Sequence, residues 1–349
     1  EALRLGLRST GSDLNPVAVM IGKAMIELPS QFKDRKPVHP GKLERLHYRG
    51  AEGLAEDILW YAQALTDKAR EKIGHLYPQV ALPKKDGGGE ATILAWLWAR
   101  TVASPNPAVR GAHVPLISNY WLCNKPKKSV WVQPTISGSD ISFEIRTGKP
   151  ADPGAVAAGT KAGRGANFRC LLTGDAITAD YVKAEGMAGR MGWRLLAIVL
   201  EGKGGRRYVA PTKEHETLAF SEKPDWRPEY PLSQHPQYMS VTNYGPTNIA
   251  DLFMDRQTIA LNTFMGIIPD VVREISDEAY RKAIVSYLVL GVSRLANRQS
   301  TSAFWDTAGE NVQQVFAMQA LPMRWDTVEG NPFSSSSGNF IGQVEYLAK

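Results

Sequence analysis

Apolar residues recur at spacings of three and four over residues 51–75, where Leu54, Ile58, Tyr61, Leu65, Ala69 and Ile73 share one face of a long predicted helix. The same period over 276–297 aligns Tyr280, Ile284, Tyr287, Leu288, Gly291 and Leu295. Asp277 and Glu278 fall in its first turn, where the helix dipole favours acids. Residues 249–264 are also amphipathic. Near the start, Asn15 is a good N-cap and Pro16 suits the first helical position, so a helix is predicted to about Glu27, stopping at Pro29. A short polar strand candidate, 8–12, precedes it, and 1–7 reads as the end of a helix already running. The middle of the chain changes character. Residues 93–102 form a largely apolar run. Segments 114–122, 129–136 and 140–147 are short and rich in β-branched and aromatic residues, the pattern of an antiparallel module. Residues 195–200 and 207–210 flank a glycine turn as a hairpin. Residues 84–89, 148–166 and 331–338 read as breaks or loops, and 213–248 as a Pro-rich and aromatic wrapping segment.

With 349 residues, 43% of them hydrophobic and 22% charged, the chain is neither a disordered polymer nor a fibrous repeat. No run of about 18 apolar residues is present to form a membrane-spanning helix. Two cysteines, Cys123 and Cys170, cannot make a disulfide framework, which fits a reducing cytoplasm. A net charge of +6 permits a polyanionic partner without requiring one. There is no signal-peptide pattern, and amphipathic segments run into both ends, so the chain reads as a piece of a longer protein.

Four clusters are candidates for chemistry. Asp13-Leu-Asn-Pro16 places a carboxylate between a strand and a capped helix, where open α/β sheets bind ligands and an acid can accept from a ribose diol; the plainer role is capping. The segments at 104–109 and 170–173 flank β elements as the knuckles of a zinc ribbon do. Only Cys170 is a thiol there; Ser104, Val109 and Thr173 cannot replace thiolates, which argues against zinc. Lys125, Lys127 and Lys128 cluster on one turn, and Lys203, Arg206 and Arg207 on another; both could meet phosphates, or simply keep a β module in solution. Asn331-Pro332-Phe333 opens a Ser-rich loop ending at Asn339. It is one proline short of the element with which amino-methyltransferases hold a flipped base, and stands as a polar loop lining a pocket. There is no phosphate-binding G-x-x-x-x-G-K-[ST] loop, no G-x-S-x-G elbow and no H-E-x-x-H helix.

Taken in order along nearly the whole chain, these strings resemble the adenine-specific DNA methylases that carry a zinc-ribbon insertion. The resemblance runs through Asp13-Leu-Asn-Pro-Val-Ala18, Leu97-Trp98-Ala99-Arg100-Thr101-Val102 and Pro105-Asn-Pro-Ala108. It continues through Asp180-Tyr-Val-Lys-Ala-Glu-Gly186 and Ala188-Gly-Arg-Met191. It is most specific in Gln319-Ala-Leu-Pro-Met323, Trp325-Asp326, Asn331-Pro-Phe-Ser334 and Ser336-Ser-Gly-Asn339. It implies an α/β fold in which a partial Rossmann-like methyltransferase core (1–30) is interrupted. The expected order is a helical connector (31–89), a β-rich degenerate zinc-ribbon module (90–212) and a helical segment leading back to the core (213–349). It implies S-adenosylmethionine as cofactor, with Asp13 at its ribose beside Asn15 and Pro16, and adenine N6 in DNA as methyl acceptor, in a modification or phage-defence setting. In this pattern the glycine-rich loop falls before Glu1 and the Asp-Pro-Pro-Tyr motif after Lys349, and an extra residue sits near Arg110. No residue of this chain is therefore expected to carry the transfer, and the chain alone is expected to be inactive. The alternatives are a non-catalytic DNA-binding or assembly subunit, with further subunits of such a modification or defence system as partners, and a decayed fragment.

Overall fold

The computed structural model describes residues 5–7, 9–42, 45–82, 88–109, 111–202, 204–235, 237–316 and 319–349. The readings at 1–4, Arg8, 84–87, Arg110 and Lys203 lie outside the described residues. Asn15 caps α1 (Pro16–Gly22) by accepting the Val17 N–H at 3.0 Å. A π-helical turn (Lys23–Glu27) leads on into α2 (Leu28–Gln31). The helical path thus passes the stop expected at Pro29: Pro29 follows directly on the π-helical turn, and the Ala24 carbonyl oxygen accepts the Tyr287 hydroxyl in place of the N–H that a proline lacks. Residues 9–12 are irregular and exposed rather than a strand. Ser9, Thr10 and Ser12 offer no apolar face, and no described strand pairs with them.

The chain continues through α3 (Glu52–Ile73), β1 (Gln79–Ala81), β2 (Glu90–Ala103), β3 (His113–Leu116), β4 (Trp121–Lys125), β5 (Lys128–Ser137) and β6 (Asp140–Thr147). Then follow α4 (Pro153–Ala158), β7 (Phe168–Arg169), β8 (Ala176–Ile177), α5 (Ala179–Met187), β9 (Gly192–Gly202), β10 (Gly205–Val209) and α6 (Lys213–Leu218). The last part holds α7 (Asp255–Val271), α8 (Glu278–Ala296), β11 (Phe304–Asp306), β12 (Asn311–Gln313), β13 (Asp326–Gly330) and α9 (Phe340–Ala348). The result is a mixed α/β protein with helices and several small antiparallel sheets. The amphipathic run expected at 249–264 starts as a 3-10 turn (Ile249–Leu252) and becomes helical only at Asp255. Among the described residues, no helix is long and apolar enough to cross a membrane.

β2 is the centre. One edge pairs in turn with β1, β13 and β3, and the other with β9, which pairs with β10, all antiparallel. On one face Ile93, Trp96 and Trp98, with Leu195, Ile198 and Leu200 of β9, pack under the helices α3, α7, α8 and α9. On the other, Leu94, Ala95, Leu97, Ala99 and Val102 join a second core with Leu122, Val130, Val132 and Phe143 of the β4–β5–β6 sheet. A register shift between Ile93 and Ala95 puts Leu94 and Ala95 on the same side. Burial on both faces is why 93–102 reads as a run rather than as an alternation.

Two carboxylates sit in the helical core. Asp57 of α3 accepts the Val38 and His39 N–H groups at 2.9 Å and the Tyr280 hydroxyl at 2.7 Å, tying the 37–39 segment to α3 and α8. Gly53 lets that segment close in, since a Cβ there would collide with the Arg35 carbonyl oxygen. Glu329 of β13 takes the Arg256 guanidinium through two bonds of 2.7 Å and the Trp98 indole N–H at 3.1 Å. Both partners are essentially inaccessible to water, and Arg256 also lies over the Trp96 ring at 4.1 Å. Burial disfavours the guanidinium charge, and Glu329 more than restores it.

Removing one partner leaves a buried charge alone. Arg256→Met is expected to destabilise the fold by about 3–5 kcal/mol. Adding Glu329→Gln should return part of that loss, so the double variant should be less destabilised than the sum of the two single variants, as read by denaturant unfolding. Additive losses would show that the pair is not coupled.

Candidate functional site

Asp13 is exposed, and its Oδ1 accepts the Asn15 N–H at 2.8 Å. Asn15 in turn caps α1, and Pro16 begins it. The four residues therefore form the capped turn that their types predict, but with no described strand behind it. Asp13 Oδ2 has no partner among the described residues. The carboxylate borders an open groove of about 580 Å³ running along Ala18, Gly22 and Ile26 of the first helical stretch. One free carboxylate oxygen beside an open groove fits a diol, so the residues present are compatible with the ribose of S-adenosylmethionine.

The basic turns are differently employed. Lys125 and Lys128 each place Nζ 2.6 Å from the carboxylate of Glu310, and the Tyr208 hydroxyl donates to the same group at 2.8 Å. Lys128 also donates to the Arg206 carbonyl oxygen, and Arg206 to Ser336 Oγ at 2.9 Å. Glu310 is buried and holds a left-handed backbone (φ 54°) uncommon for a non-glycine residue. Burial alone would raise its pKa; the bonds from Lys125, Lys128 and Tyr208 outweigh that and bring it to about 2. Two of the residues expected to meet phosphate thus neutralise an internal carboxylate more than 180 positions away in the chain. Lys127 is exposed, Arg206 and Arg207 are half-buried, and Lys203 lies outside the described residues.

The polar loop hangs from the central strand. Asn331 donates through Nδ2 to the Ile93 carbonyl oxygen at 2.8 Å and through its backbone N–H to that of Leu94 at 2.9 Å. Its Oδ1 accepts the Phe333 N–H, turning Phe333 into the core against Tyr77 and Phe264. Arg70 lies over the Phe333 ring at 5.0 Å and donates to its carbonyl oxygen. Asn339 caps α9 by accepting the Gly342 N–H at 3.0 Å, and its Nδ2 closes the loop onto the Ser334 carbonyl oxygen. Pro332, Phe333, the four serines 334–337 and Asn339 line a cleft of about 590 Å³, whose other wall is Gln63, Thr66 and Arg70 of α3. Asn331 itself is buried behind that cleft. Arg298 also lines it and donates to the Val312 carbonyl oxygen. The described lining is rich in hydrogen-bond donors, and its one carboxylate, Glu345, lies at the α9 side. This chemistry suits holding a polar ligand, not activating a nucleophile.

The two knuckle segments meet. Ser104 Oγ lies 3.3 Å from Cys170 Sγ across 66 positions. Asp175 joins them: its carboxylate accepts from Asn106 Nδ2 at 2.6 Å and from the Thr173 hydroxyl at 2.8 Å. Burial raises the Cys170 thiol pKa, but hydrogen bonds from Ser104 and Thr173 bring it below its ordinary value. With one thiol, two hydroxyls and the isopropyl group of Val109, these positions do not fit zinc. Among the described residues, no cluster of three or more histidine, cysteine or acidic side chains could hold a metal ion. Glu310 was not legible as a site residue: Thr307-Ala-Gly-Glu310 carries no motif, and its partners come from distant segments.

No protein-family model, no curated protein and no solved structure matches this chain.

Because the Glu310 pKa is depressed from 4.5 to about 2, its stabilising contribution is full above 4.5 and is lost as pH falls toward 2. Glu310→Gln should therefore be less stable than the wild type near neutrality, and the gap should close across that acid window in pH-dependent thermal melts. At the knuckles, a chelator should leave the melting temperature unchanged, whereas Asp175→Ala should lower it. A chelator-induced drop would mean that a metal is bound after all.

Proposed function

We propose that this chain is part of an S-adenosylmethionine-dependent DNA adenine-N6 methyltransferase in the cytoplasm, its Rossmann-like core interrupted by the antiparallel module. The observation that most supports this reading is the approach of Ser104 to Cys170. Their positions beside β segments in the sequence had set these residues on two knuckle-like segments, and they lie 3.3 Å apart. Asp13, on its capped turn, would hold the cofactor ribose, with Asn15 and Pro16 fixing the helix start. When bound, S-adenosylmethionine supplies an electrophilic methyl group. The loop at 331–339 would contribute a polar wall, and the exposed Lys127 would face DNA phosphates. In this reading none of these residues carries the transfer itself, and the chain alone is expected to be inactive.

The test uses the product of the full reading frame, with labelled S-adenosylmethionine and adenine-containing duplex DNA. The expected outcome is N6-methyladenine in the duplex. Asp13→Ala should weaken cofactor affinity about ten- to a hundredfold, the scale of one or two hydrogen bonds, with duplex affinity unchanged. If the protein binds duplex with a steep salt dependence but neither binds cofactor nor transfers methyl, the non-catalytic DNA-binding subunit takes its place. Absence of both activities would sink both readings.

A further inference from the structure

The cleft of about 590 Å³ between α3 and the serine loop is lined by two arginines, Arg70 and Arg298. Neither forms an ion pair among the described residues. Each head group is anchored by a neutral acceptor instead. Arg70 donates through Nη2 to the Phe333 carbonyl oxygen at 2.9 Å and lies over the Phe333 ring. Arg298 donates through Nη1 to the Val312 carbonyl oxygen. A carbonyl oxygen fixes a guanidinium in place without cancelling its charge, so both cations are positioned and unneutralised. Arg70 is exposed and Arg298 half-buried, so solvent reaches both. Burial, together with the Arg294 charge one turn earlier on α8, lowers the Arg298 pKa. An anion beside it would relieve that penalty.

The loop and α9 add donors. Ser335, Ser337 and Ile341 line the cleft, and their backbone N–H groups have no partner among the described residues. Ile341 sits in the first turn of α9, where the helix dipole favours negative charge. The Ser334, Ser336 and Ser337 hydroxyls are engaged with Asn331, Arg206 and Val312, which holds the loop in shape. A neutral ligand would leave both guanidinium charges unmatched, and a cation would be repelled by them. A carboxylate has two oxygens and one charge, enough for one guanidinium fork. A phosphate carries more acceptors and more charge, and can meet two guanidiniums and backbone N–H groups together. The geometry points to a phosphate-binding site in this cleft, made by Arg70 and Arg298 and completed by backbone donors of the serine loop and α9. The volume leaves room for a nucleoside-sized body beyond the phosphate. The inference stands on the cleft itself and does not require methyl transfer.

The phosphate could belong to a free mononucleotide or to a nucleic acid strand. Isothermal titration calorimetry of the whole chain, without S-adenosylmethionine, tests both sources. The titrants are inorganic phosphate, adenosine, adenosine monophosphate and a short single-stranded oligonucleotide. Saturable binding of the monophosphate, with inorganic phosphate competing and adenosine inert, identifies the free ligand. Binding of the strand in preference to the monophosphate, with a steep loss of affinity on adding salt, identifies backbone phosphate. Arg70→Gln should weaken phosphate binding about ten- to a hundredfold, the scale of hydrogen bonds to a charged group. Glu345, which lines the cleft, is exposed and has no ion pair among the described residues. Glu345→Gln should therefore leave the melting temperature unchanged and tighten phosphate binding about two- to fivefold by removing a repelling charge. Lys68→Gln removes an exposed cation of α3 outside the cleft and should leave affinity unchanged. Absence of saturable binding by phosphate, monophosphate and strand would overturn the proposal. So would equal affinity for adenosine and its monophosphate, or equal losses in Arg70→Gln and Lys68→Gln. Should Arg70→Gln lose its fold, Glu345→Gln decides, and an unchanged affinity overturns the site. Because the assay contains no methyl donor, its failure is separate from failure of the methyltransferase reading.

Discussion

β2 has both edges paired and both faces covered. Its backbone groups are satisfied only if β9 lies on one side and β1, β13 and β3 on the other. Its indoles at Trp96 and Trp98 are dry only if the helices close over them. A strand with this much apolar surface on both sides cannot stay in solution half-covered, so the helical layer and the β layer must assemble around it together. The Arg256–Glu329 pair follows from this constraint. Glu329 faces the helical core because β13 is registered against β2 with Glu329 opposite Trp96, and Arg256 comes from α7 to meet it.

The same short strand distributes the polar chemistry. Along β13, Asp326 accepts the Ser118 N–H on the side where Val328 joins the β-side core, while Glu329 enters the helical core. The strand alternates its side chains between the faces, so one element serves both sides. Beyond Gly330 the chain turns at Asn331, which is anchored to the Ile93 and Leu94 carbonyls, and the serine loop and α9 follow. The Glu310 cluster then fastens this loop to the β module through Arg206 and Ser336.

The elements legible in the sequence were those with strong local signals. The three- and four-residue periods of α3 and α8, the Asn15–Pro16 cap and the serine loop all depend on neighbours within a few residues. The strand expected at 8–12 had no apolar alternation and no described partner, and residues 9–12 are irregular. The basic turns show the limit in the other direction. Lys125 and Lys128 look like free surface cations in sequence, because the carboxylate that engages them lies on a remote turn.

Local sequence determined the long helices, the helix caps, the glycine-turned hairpin and the fact that residues 93–102 would be buried. Backbone propensity, capping and hydrophobic period act over a few residues, and those signals are written in order along the chain. Only the tertiary structure decided which charges face water and which meet a partner, and that Ser104 would approach Cys170. Electrostatic and packing partners are chosen by distance in space, and a linear pattern contains no measure of it.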